Sequence, residues 1–80
     1  MNGQLLKGFR VGKGKTQSDM GDMIEKSTDS YAKKERGEVE FTLEETVVIA
    51  IETGMKFEDF NAIFYDGRLP YGKKEESELP

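Results

Sequence analysis

Thr28, Asp29 and Lys33 are spaced so that on a helix they share one polar face, and each has a defined partner among the edges of base pairs. Lysine donates to guanine O6 and N7, threonine packs against a thymine methyl, and aspartate accepts from cytosine N4. Gln17 belongs with them: at the start of a preceding helix its amide can reach a base edge or a phosphate, or orient a neighbouring side chain. Ser30, Lys13, Lys15 and Arg36 supply donors for phosphate oxygens around that face. Without such a face, Gln17 is a solvent-facing amide and the cations are ordinary surface charges. Asp29 opposes the phosphate field unless it reads cytosine or is neutralised by Lys33 four residues on.

Covalent chemistry finds no comparable constellation. The chain has no cysteine and no histidine, which removes thiolate nucleophiles, disulfides and the commonest zinc ligands together. Glu44/Glu45 and Glu75/Glu76 are adjacent acids that read as solvated faces rather than an acid/base pair. Gly12-Lys13-Gly14-Lys15-Thr16 resembles the end of a phosphate-binding loop, but that motif's first glycine falls on Phe9 and no strand precedes it. No enzyme, cofactor or metal site is expected.

The elements that must position these residues lie between residues 16 and 37. Thr16 is an N-cap, Asp19 stands in the first turn where the helix dipole favours an acid, and Met20, Met23 and Ile24 form one apolar stripe. Ser27 repeats the cap for a second short helix in which only Tyr31 and Ala32 offer an apolar face. Two short helices joined by a tight turn are what a helix-turn-helix requires, the first bracing a second that enters the major groove. Upstream, Leu5, Leu6 and Phe9 predict a helix of roughly ten residues ended by Gly12 and Gly14. Downstream, Thr42 and Glu45 have capping-box spacing. The β-branched run Val47–Ile51 is compatible with a strand, but the Leu43/Val47/Ala50/Ile51 spacing and Gly54 favour a buried helix. Phe57, Phe60, Ile63 and Phe64 give a fifth, with Glu58 and Asp59 at its positive end; its aromatics read as core, or in part as a dimer seam.

Eighty residues fit one domain, burying only about 60 to 65% of the unfolded surface. The expected division is a helical domain over 1–65 and a charged, partly disordered tail over 66–80, within which Leu69-Pro70-Tyr71 is a candidate to fold back on the domain or on a second subunit. The start of the chain lacks the apolar run of roughly seven residues that a secretory leader needs, and no stretch approaches the roughly 20 that cross a bilayer. No membrane and a cytoplasmic location are expected. The net charge of −4 disfavours non-specific nucleic-acid binding. Its distribution is uneven. Residues 1–17 carry Lys7, Arg10, Lys13 and Lys15 with no acid, whereas residues 41–67 carry six acids against Lys56.

Thr16-Gln17, Gly21, Ser27 and Glu35-Arg36-Gly37 resemble the lambda-repressor-like, Cro-type (Xre) helix-turn-helix family of phage and bacterial regulators. Leu6-Lys7, Arg10 and Lys13-Gly14 are similar to its first helix; Ile49-Ala50, Gly54, Phe60 and Phe64 are similar to its last two. The likeness runs from about Leu5 to Phe64. It implies an all-α, compact five-helix bundle that binds double-stranded DNA as a homodimer, on half-sites about 34 Å apart, and acts by promoter occlusion. It also implies an internal ion pair between Arg10 and Glu35, the alternative being two unconnected surface charges. Two features depart from the family. Glu25 stands where a glycine commonly supplies the left-handed residue of the turn, at a cost of roughly 1 kcal/mol or a changed turn. Glu38 and Glu40 make acidic a loop that is basic in many members. These acids, with Asp29, support a second reading, a protein-binding module of the same fold such as an antirepressor. An antitoxin-like partner, with residues 66–80 as its binding tail, rests on family analogy.

Overall fold

Four of the five helices begin where a side-chain oxygen accepts from an otherwise unpaired backbone N–H in the first turn. In the computed structural model, which describes residues 1–70, they are α1 (Gly3–Gly12), α2 (Gln17–Met23), α3 (Thr28–Glu35), α4 (Leu43–Thr53) and α5 (Phe57–Tyr65). Asn2 caps α1, a signal not read from the sequence, and Ser27 caps α3. Reciprocal capping boxes open α2 through Thr16 and Asp19 and α4 through Thr42 and Glu45. Gly54 ends α4 in the left-handed conformation. No strand occurs among the described residues, and the chain forms a compact, all-helical globule.

The core is built in two parts. Met20, Ile24, Tyr31 and Ile49 join α2, α3 and α4; Leu6, Ile63 and Phe64 join α1 and α5. Phe41, in the loop before α4, packs against both. Its ring lies 6.0 Å from Tyr31 and 5.5 Å, edge-on, from Phe64, within the range where aromatic quadrupoles attract.

The expected inner face of α4 is corrected. Leu43, Val47 and Ile51 are exposed, and the buried positions are Thr46, Ile49 and Thr53. Threonine is acceptable there because each hydroxyl donates to its own helix, Thr46 to the Leu43 carbonyl and Thr53 to that of Ile49, both at 2.7 Å. The polar atom is satisfied and the methyl is left for packing. The helix is also turned by Glu45, which lies 3.1 Å from Lys34 of α3. Leu5 is likewise exposed, since α1 buries Leu6 and Arg10 instead. In α5, Phe64 is buried, Phe60 half-buried and Phe57 exposed.

Residues 66–69, read as the opening of the tail, return to the domain. The Asn61 amide donates to the Leu69 carbonyl and accepts from its N–H, both at 2.9 Å. The charged end expected to be disordered falls mostly on residues 71–80, outside the described residues. No helix of the described residues is long and apolar enough to cross a membrane.

Candidate nucleic-acid interface

The turn between α2 and α3 decides which side chains of α3 face outward. Glu25 adopts φ 60°, the left-handed conformation, at the backbone cost of a residue with a Cβ. The Lys26 N–H then donates to the Gly21 carbonyl at 2.8 Å. A Cβ on Gly21 would stand 2.7 Å from the Lys26 carbonyl oxygen, so alanine at this position requires the backbone to shift.

With the turn set, Thr28, Asp29 and Lys33 are exposed along α3, and Ser30 is half-buried with its N–H donating to Ser27 Oγ. Lys33 lies 3.5 Å from Asp29, one helical turn away. Arg36, just past the helix, pairs with Glu38 through Nε at 2.6 Å. This contact holds the Glu38 carboxyl below its ordinary range and raises the Arg36 guanidinium. Lys13 lies over the Phe9 ring at 5.5 Å. Lys15 is half-buried, and its carbonyl accepts from Arg10 Nη1.

Behind this face is a buried polar cluster. Arg10 donates to Glu35 through Nε at 2.8 Å and Nη2 at 3.2 Å, the Gln17 amide donates at 3.1 Å and the Tyr31 hydroxyl at 2.9 Å. Glu35 therefore accepts four hydrogen bonds and ties α1, α2 and α3 together. Burial pushes its carboxyl pKa up, but the donors from Arg10, Gln17 and Tyr31 outweigh it, and the net shift is downward. The hydrogen bond to Glu35 raises Arg10; burial, then the bond to Glu35, raises Tyr31.

The residues proposed from sequence thus separate into two groups. Arg10 and Glu35 meet inside, and the half-buried Gln17 commits one of its two amide N–H groups to Glu35. Thr28, Asp29, Lys33 and Arg36 stay at the surface. Two further cations were not among the site residues proposed from sequence. Lys7 lines a hollow with Gly3, Gln4, Gln17 and Arg36, beside the start of α2; its signal is its place one turn before Arg10. Lys34 is 6% exposed, held by Glu45, the Glu40 carbonyl at 3.0 Å and the Phe41 ring; no sequence pattern marks it. Comparison of the chain with family models, with curated proteins and with solved structures gives no match.

Proposed function

We propose that the chain is a sequence-specific double-stranded DNA-binding transcriptional regulator resembling the small Cro-type repressors. It reads the major groove with α3 and acts by promoter occlusion as a homodimer. The observation that supports this best is the exposure of Thr28, Asp29 and Lys33 on a helix that is anchored by the buried Tyr31, Ala32, Lys34 and Glu35. A reading face must be held rigidly to discriminate bases. In this reading Lys33 donates to guanine, Thr28 contacts a thymine methyl, and Asp29 accepts from cytosine. Lys7, Lys13, Lys15, Ser30 and Arg36 meet phosphates, while Gln17 positions Glu35 and lies beside the backbone.

Selection from random duplex DNA at low salt, read by sequencing, tests it. An enriched, roughly palindromic site is expected, lost in a Thr28→Ala, Lys33→Ala double variant. Absence of enrichment with folded protein overturns the reading.

One observation favours a second reading, a protein-binding module of the same fold, antirepressor or antitoxin-like. Lys33 and Arg36 are each paired with an acid of the same segment, which leaves the face with little net positive charge. That reading expects a stable complex with a protein and no salt-dependent DNA binding.

A further inference from the structure

α4 carries an exposed apolar stripe bordered by glutamates. Leu43, Val47 and Ile51 succeed one another at i, i+4 and i+8 and are 64%, 40% and 73% exposed. They lie roughly a third of a turn round the helix from the buried Thr46, Ile49 and Thr53. At its N-terminal end the stripe runs into an open groove of about 470 Å³, lined in part by Met1, Val39, Glu40, Phe41, Leu43 and Phe64. An apolar row at helical spacing on a surface where polar residues would serve marks a contact surface.

The charges around it select the occupant. Glu44 and Glu52 flank the stripe, and Glu40 lines the groove. Among the described residues, none of these three carboxylates has a hydrogen bond or ion pair. Of the cations nearby, the Met1 ammonium lies on Asp66 at 3.4 Å and Lys34 on Glu45 at 3.1 Å, and Lys26 lines a separate hollow with Glu44 and Glu45.

We propose that this face binds a basic amphipathic helix of a partner protein. Its apolar side chains sit along Leu43, Val47 and Ile51 and enter the groove, while its flanking lysines and arginines meet Glu40, Glu44 and Glu52. A second copy of this chain is a poorer complement. Antiparallel two-fold packing of α4 on its image sets Glu44 beside the image's Glu52, acid against acid. The chain's own residues 71–80 bring three acids against two lysines. Unpaired carboxylates also repel phosphates, so this surface is separate from the proposed DNA face and does not depend on it.

The test is a titration of the isotope-labelled full chain, followed by nuclear magnetic resonance. One probe is a synthetic helix with leucine at i, i+4 and i+8 flanked by lysine; the other replaces each lysine by glutamate. The lysine helix is expected to bind at least about tenfold more tightly than the glutamate helix, and less tightly as salt is added. Shifts should centre on α4 and the groove, and Ile51→Lys, a surface change checked by circular dichroism, should abolish them. Equal affinity for the two helices, no binding, or shifts centred on Asp29 and Glu38 overturn the proposal. So does sedimentation of the chain as a dimer that Ile51→Lys dissociates, which makes a second copy the occupant. DNA selection with Ile51→Lys keeps the two readings apart, since its result is expected to match that of the parent chain.

Discussion

Lys33 and Lys34 are neighbours on α3 and meet opposite surroundings, and so do Glu35 and Arg36. Lys34 and Glu35 turn inward and are held from other parts of the chain, Lys34 by Glu45 and the Glu40 carbonyl, Glu35 by Arg10 and Gln17 as well as Tyr31. Lys33 and Arg36 turn outward and find partners within four residues, Asp29 and Glu38. Inward charges join elements distant in sequence in a place water does not screen, so neither partner can leave without stranding the other. Outward pairs are local, hydrated and screened by salt, and can exchange their partners for another ion. One helix therefore carries charges fixed in the scaffold on one side and exchangeable surface charges on the other.

The largest expected effect breaks the inner side. Glu35→Ala strands the Arg10 guanidinium and should cost about 3 to 5 kcal/mol. At about 4 to 8 °C per kcal/mol for a domain this size, the thermal midpoint should drop by more than about 12 °C. Arg36→Ala, one residue on, should leave the midpoint almost unchanged. Equal melting of the two variants, followed by circular dichroism, would erase the distinction.

The turn assigns the two sides, so disturbing it comes next. Gly21→Ala forces a Cβ against the Lys26 carbonyl and should destabilise by about 1 to 3 kcal/mol. Chemical denaturation measures this. No loss of stability would mean the turn adapts freely and does not fix which residues face out.

Acid sharpens the comparison. The folded-state pKa of Glu35 is lowered, so its stabilisation is fully present above the ordinary glutamate value of about 4.3 and is lost as pH falls through the folded value. Asp19, Glu38 and Glu45 are shifted the same way. The midpoint should stay level from neutral pH to about pH 5 and fall below about pH 4. Glu35→Gln should flatten that acid limb, whereas Glu38→Gln should leave it close to that of the parent chain. The reverse ranking in melts across this range would place the stabilising carboxylate outside rather than inside.

The smallest effect concerns the outer side alone. Glu38→Gln frees Arg36 and, in the DNA reading, should tighten binding and steepen its salt dependence by about one counterion. Binding isotherms at several salt concentrations measure the slope. An unchanged slope would remove Arg36 from the phosphate contacts.

Helix positions were legible because caps and glycines are local signals: Thr16, Ser27, Thr42 and Gly54 each act within one turn of the chain. The rotation of α4 was not, because hydropathy ranks leucine and isoleucine above threonine. It does not record that Thr46 and Thr53 satisfy their own hydroxyls, or that Glu45 must reach Lys34. The burial of Lys34 has no local signature either, since its partners Glu45, the Glu40 carbonyl and the Phe41 ring lie in the loop and helix that follow. The contact between Arg10 and Glu35 was suggested by family likeness and has no local signature, since 25 residues separate them. Gln17 was singled out for its place at the start of α2; its engagement with Glu35 depends on α2 and α3 meeting and appears only in the fold.

The return of Leu69 to Asn61 sets where the chain can be cut. Asn61 is 1% exposed, and its primary amide is matched at both ends by one backbone unit. A fragment stopping after Gly67 retains all five helices, yet its buried amide faces nothing, a loss of about 1 to 3 kcal/mol for each orphaned group. Leu69 therefore belongs to the folded domain, and a fusion joint or protease site placed before that residue removes both partners of the Asn61 amide.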